Sequence, residues 1–260
     1  MTDRCGDAGR NDYGWADIEP DGPVTAGSTG TWRITYHVGS RGIDDGGVVK
    51  FAWRDVSDWG TPQFADAAAP EYATVSTAGP AKLRATFERQ RYRRPWRLCV
   101  TVDVFDDSLA AGDVITLTLG DRSGGSIGSR AQTFCSESFE FLVAADWAGT
   151  WVYTEVASPA FPVTSGSPHR LVVVSPSESV AGQPVWVGVK VEDVWGNPCT
   201  DYDGEVELDP GGLRGLPDRY RFAAEDRGAR RFENVVAPES GLYRVAVGER
   251  GGPLRPSVTP

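Results

Sequence analysis

Residues 94–134 read RPWRLCVTVDVFDDSLAAGDVITLTLGDRSGGSIGSRAQTF, and this stretch decides the fold. Trp96, Leu98, Val100, Val102 and Val104 alternate with Arg97, Cys99, Thr101 and Asp103. A period of two sends successive side chains to opposite faces of a strand. After a turn the alternation resumes over 114–119, and a glycine- and serine-rich loop follows at 120–130. No helical period interrupts the run, so it is a strand pair with a long connection.

Working outward, the same alternation recurs. At 31–38 Trp32, Ile34, Tyr36 and Val38 share one face, and Arg33, Thr35 and His37 the other. Further strands are expected at 48–53, 72–76, 82–88, 138–143 and 151–156, separated by turn sequences such as GSRGIDDGG at 39–47. About eight short strands in series predict a β-sandwich over 13–157, behind a loose tail at 1–12. SPAFPVTSGSPH, 158–169, reads as a linker. The pattern then restarts, with Val185, Val187, Val189 and Val191 on one core face. Six strands between 170 and 248 have the spacing of an immunoglobulin-like sandwich, and 249–260 reads as a C-terminal linker. The fold class is therefore all-β, two tandem β-sandwiches of which the second is immunoglobulin-like.

Composition narrows the function. Two cores fit within 260 residues, and 40% hydrophobic content with nine tryptophans excludes a disordered chain. A formal charge of −10 opposes general phosphate binding, so no nucleic-acid partner is expected. No apolar run is long enough for a bilayer, and MTDRCGDAGRNDYGW lacks the apolar core of a secretory signal. That points to the cytoplasm and away from membranes, with secretion behind a removed leader as the alternative. Cys5, Cys99, Cys135 and Cys199 include no CxxC pair, so zinc is not expected. A Cys99–Cys135 disulfide stays open, since spacing alone does not fix it.

Catalytic constellations are missing from the pattern. His37 falls on a polar strand face and His169 in the linker, neither beside a nucleophile. Asp44/Asp45, Asp106/Asp107 and Asp201/Asp203 lie at turns, where aspartate is favoured for local hydrogen bonds. No catalytic residue, cofactor or metal ligand is therefore assigned, and the chain is not expected to be an enzyme. GDRSGGSIGSR, 120–130, reads as a mobile hairpin connection or as an anion cradle in which backbone amides converge and Arg122 and Arg130 add charge. The arginine run Arg84, Arg89, Arg91, Arg93, Arg94 and Arg97 reads as edge protection or as a dock for an acidic partner. Trp32 and Trp96 belong to apolar faces, whereas Trp59, Trp147 and Trp195 fall in loops and could bind sugar. The candidate contact residues are Trp59, Arg93, Arg94, Asp121, Arg122 and Arg130.

GTWRITYHVGSRGIDDGG (30–47), SDWGTPQF (57–64), RPWRLCVTVDV (94–104) and GDVITLTLGDRSGGSIGSRAQTF (112–134) resemble the N-terminal part of a bacterial family catalogued as a domain of unknown function. Its longer members join β-sandwiches to a C-terminal metallohydrolase domain similar to the polymerase-and-histidinol-phosphatase (PHP) superfamily. VSPSESVAGQPVWVGVKVEDVWGNP (174–198) resembles bacterial immunoglobulin-like or filamin-like repeats. The resemblance spans about 13–250. It implies metal ligands beyond the sandwiches, in a Trp-Gly-Asp-Leu-His type motif, and none at any position of this chain. The function it implies is a non-catalytic accessory region supporting a metal-dependent hydrolase domain, C-terminal or separately encoded. A stand-alone module for carbohydrate or a cell surface is the alternative.

Overall fold

The computed structural model describes residues 12–259, so most of the expected tail at 1–12 lies outside the described residues. The chain is all-β and divides into two compact units, one ending at Thr164 and one beginning at Ser165.

The first unit runs β1 (Trp15–Glu19), β2 (Val24–Thr25), β3 (Thr29–Gly30), β4 (Trp32–His37), β5 (Val48–Trp53), β6 (Ala73–Ser76) and β7 (Lys82–Arg89). It continues with β8 (Leu98–Phe105), β9 (Val114–Leu119), β10 (Ser129–Arg130), β11 (Ser136–Glu140), β12 (Leu142–Asp146), β13 (Thr154–Glu155) and β14 (Ala160–Thr164). One sheet has the order β1-β4-β9-β6 and the other β13-β12-β5-β8-β7, all antiparallel. Small sheets β11-β14-β2 and β10-β3 close the sides. The alternation read from the sequence is the core pattern: Ile34, Tyr36, Ile115 and Leu117 face Val49, Phe51, Trp53, Val100 and Val102 in one buried cluster.

The second unit runs β15 (Arg170–Val174), β16 (Pro184–Glu192), β17 (Glu205–Asp209), β18 (Arg219–Arg221), β19 (Ala229–Val236), β20 (Ala246–Glu249) and β21 (Ser257–Val258). Its sheets are β15-β16-β19 and β18-β17-β20-β21. Lettered in chain order these are A-B-E against C′-C-F-G, an immunoglobulin-like arrangement. Val187, Val189 and Val191 are all within 1% of full burial.

Several expectations are corrected. β1 precedes the first expected strand; its short Trp-Ala-Asp-Ile-Glu alternation is legible only once paired to β4. β8 starts at Leu98, leaving Trp96 in the preceding loop. Of the expected strand at 151–156 only β13 is formed, and Trp151 lies outside it. The expected linker 158–169 contains β14, which pairs β11 and runs parallel to β2; Phe161 and Val163 are buried there. The expected linker 249–260 contains β21, paired to β20, with Leu254 and Thr259 buried. Pro, Ser and Gly marked both segments as connectors, yet alternate apolar residues decided their pairing. No disulfide joins Cys99 to Cys135. Cys99 lies within β8, fully buried, and burial pushes its thiol up to about 11.

Candidate functional site

The most exposed aromatic side chain among the described residues sits on a turn built to hold it. β12 ends at Asp146, whose side chain is 1% exposed. A buried carboxylate costs several kcal/mol unless donors surround it. Here the turn that follows supplies them. Asp146 Oδ1 accepts from Thr150 N at 3.0 Å, Thr150 Oγ1 at 3.1 Å and Ala148 N at 3.4 Å, and Oδ2 accepts from Trp151 N at 2.6 Å. Gly149 makes the tight path feasible: at φ +66° its backbone packs against Gly46, where a Cβ would come within 2.8 Å of a carbonyl oxygen.

Trp151 emerges from this turn at φ +64°, a backbone region that bulky L-residues seldom occupy. Holding such a residue there costs about 1–3 kcal/mol. Its indole is nevertheless 75% exposed, and the adjacent Val152 is 69% exposed. Both flanks are pinned. Before the turn, Trp147 O accepts from Asp44 N at 2.8 Å, and the Arg41 guanidinium lies over the Trp147 ring at 5.3 Å. After it, the Tyr153 ring covers Lys50 Nζ at 3.9 Å and meets Tyr92 edge-on. Burial lowers the Lys50 pKa and raises that of Tyr92 to about 12, a rise to which the Glu155 carboxylate adds. Trp151 is thus a fixed, outward-facing platform at the end of the sandwich formed by the turns at Asp44–Gly47 and Asp106–Asp107. The aspartates Asp44, Asp45, Asp106 and Asp107 are all exposed there. The expectation that Trp151 lay in a strand hid it, although Asp146 with Gly149 and Thr150 three and four residues on is itself a turn signature.

The six sequence candidates are dispersed. Trp59 is 3% exposed and packs edge-on against Trp32 and Phe141, so it is core and offers no face to sugar. Its predicted loop is real, but it folds inward over Phe139 and Phe161. Arg130 reaches Asp58, donating to its carboxylate at 3.4 Å and to its carbonyl at 3.1 Å. Asp58 also accepts from the backbone and hydroxyl of Thr133, and these bonds outweigh burial in lowering its pKa. Ser129 and Arg130 N both donate to Glu71. The loop at 120–130 is therefore strapped to the insert at 57–72.

Asp121 and Arg122 come together in an open depression of about 470 Å³ with Glu19, Pro20, Thr31, Arg33, Thr118 and Ser123. Asp121 accepts from Thr74 Oγ1 at 2.7 Å and Ser123 N at 2.8 Å, which lowers its pKa. Arg122 donates to Thr29 O at 3.3 Å. Arg93 pairs with Glu155 and stacks over Trp96 at 4.9 Å, while Arg94 is exposed.

Among the described residues, no group of three or more His, Cys, Asp or Glu is arranged to hold a metal ion. No helix among them is long and apolar enough to cross a membrane. By sequence the chain matches no protein-family profile and no curated protein, so the resemblance to the uncharacterised bacterial family and its PHP-like hydrolase gains no support. By structure it is similar to the adhesin InvE of Yersinia pseudotuberculosis, at 11% identity and a TM-score of 0.29. It is also similar to a β-glycosidase of Bacteroides vulgatus (14%, 0.34) and to the Escherichia coli adhesin FdeC (11%, 0.26). Each likeness covers 94% of this chain, which spans 57% of InvE, 24% of the glycosidase and 95% of FdeC. Scores of this size carry no argument about function; the all-β fold stands on its own strand pairing.

Proposed function

We propose that the chain is a non-catalytic binding region whose first sandwich holds an uncharged carbohydrate on Trp151. The observation that supports this is a tryptophan kept exposed at a backbone cost. Folding alone gains nothing from that arrangement, because the indole covers little of the core and a glycine would relieve the strain. An exposed indole face suits the C–H face of a pyranose ring, and the neighbouring aspartates offer acceptors for its hydroxyl groups. The same carboxylates disfavour anionic sugars at this end. The hydrolase partner implied by the resemblance has no feature of the fold behind it and forms no part of this reading.

A glycan array followed by calorimetry on the best neutral hit is the test. Trp151→Ala is expected to weaken binding roughly 30-fold, the loss of about 2 kcal/mol common for a central aromatic contact. Its melting temperature should match that of the parent. A blank array, or a hit indifferent to Trp151→Ala, overturns the proposal.

A further inference from the structure

The opposite end of the same strands carries the reverse charge. Register places Trp53, Leu98 and Arg89 in one row across β5, β8 and β7. The chain leaves or enters the sheet there through Arg54, Arg97 and Gln90. Asp55 N donates to Pro95 O at 3.0 Å, Gln90 N donates to Arg97 O at 2.6 Å, and Arg97 approaches Asp55 at 3.6 Å. These contacts draw the loops at 54–57 and 90–97 together.

The strand ends and loops here carry six arginines in sequence: Arg54, Arg89, Arg91, Arg93, Arg94 and Arg97. Three are neutralised by ion pairs, Arg91 with Glu88, Arg93 with Glu155 and Arg97 with Asp55. Arg54, Arg89 and Arg94 are exposed and have no ion-pair partner among the described residues. Three unneutralised arginines on adjoining strand ends and loops stand out in a chain of net charge −10. Unpaired like charges repel one another and cost stability, so a complementary anion is the missing element.

The geometry points to an anionic polysaccharide, a sugar chain bearing repeated carboxylate or sulfate groups, bound by Arg54, Arg89 and Arg94. A guanidinium fork matches either group bidentately. The exposed apolar area at this end is small, chiefly Val56 at 67% exposure, so neither a protein hot spot nor bilayer insertion has an anchor. A second copy is opposed by the charge of −10 that each carries. A polymer with a charge on every repeat engages all three arginines at once, which a lone anion does not. This site is distinct from the Trp151 platform, and Trp151→Ala is expected to leave it untouched.

The test is binding of the intact chain to polygalacturonate (carboxylate) and heparin (sulfate), with dextran, duplex DNA and anionic vesicles alongside. At least one of the two anionic polysaccharides should bind at 50 mM salt, and which one does names the anion. With three contacts released, raising salt to 200 mM should weaken it roughly 15- to 40-fold. Arg54→Glu/Arg89→Glu/Arg94→Glu should abolish binding with little change in melting temperature, since these side chains hold no ion pair. Arg219→Glu, on the second unit, should leave affinity within twofold. If the triple variant fails to fold, the parent's salt dependence and its preference over DNA still decide. The proposal is overturned by absence of binding, by retention in the triple variant, by equal affinity for dextran, DNA or vesicles, or by salt-sensitive self-association instead.

Discussion

Both sandwiches bury an aspartate beneath a turn that carries a tryptophan, and the two turns use it differently. Asp193, fully buried at the end of β16, accepts from Trp195 N and Asn197 N through Oδ1, and from Gly166 N and Asn197 Nδ2 through Oδ2. One of those donors, Gly166, is 27 residues earlier, so the carboxylate ties the entry of the second unit to its β16 turn. Among the described residues, Asp146 accepts from Ala148, Thr150 and Trp151 alone, all within the five residues that follow it. Only the first turn forces its tryptophan to positive φ: Trp151 does so and Trp195 does not. A buried aspartate that recruits distant chain is there for stability. One that shapes a short, strained turn around an exposed indole fits the display role proposed for Trp151.

The contrast predicts unequal losses. Asp193→Ala would remove the carboxylate that four donors reach and is expected to destabilise the second unit by about 3–5 kcal/mol. Denaturant titration of the chain, with the two units resolved, checks it. Burial raises the Asp193 pKa, but bonds from Asn197, Gly166 and Trp195 outweigh it and hold the value below the ordinary one. A depressed native value means that the stabilisation is present above the unfolded carboxylate pKa, near 3.9, and fades as pH falls through the native one. Asp193→Asn should therefore flatten the acid limb of the second unit's stability curve. Asp146→Ala should cost less, about 2–3 kcal/mol, because its donors lie in an open turn where water can replace the carboxylate. It should also lower carbohydrate binding as far as Trp151→Ala does. An Asp146→Ala protein with full affinity would show that the turn does not position the indole.

How far this was readable in the sequence depends on the range of the interaction. The alternation at 94–105 and 114–119 gave both central strands, and Val185–Val191 gave the spine of the second unit, because burial on one face is written locally. β14 and β21 were hidden, since their pairing depends on partners more than 20 and about 10 residues away, respectively, and on one or two apolar side chains each. Trp59 misled for a related reason: a loop sequence says that strand pairing stops, not that the chain faces water. Arg130 read as available because its partner, Asp58, lies 72 residues away. Trp151 was concealed by its own apolar neighbours, Val152 and Tyr153, which mimic a strand beside a turn that only the buried Asp146 reveals.

Trp151→Gly is the sharper, smaller probe. Glycine accepts φ +64° without cost, which returns about 1–2 kcal/mol, against roughly 0.5–1 kcal/mol lost to the freer unfolded chain. A net gain of about 0.5 kcal/mol in the first unit is expected, together with loss of carbohydrate binding. Stability bought by removing the residue that binds would mark the strain as functional. Destabilisation by 1 kcal/mol or more would instead make the indole part of the fold.

The smallest effect is expected at the other tryptophan. Trp195 is 47% exposed, and its turn bonds run through backbone N–H, which any non-proline residue supplies. Trp195→Ala removes the indole and what it touches, but keeps the backbone donor to Asp193 and relieves no strained conformation. The second unit should stay within about 1 kcal/mol of the parent, and the affinity of the first unit for carbohydrate should not change. Thermal unfolding and calorimetry on the same preparation read both quantities. If Trp195→Ala weakens carbohydrate binding as Trp151→Ala does, the two turns share one task, and backbone strain is no guide to which tryptophan binds.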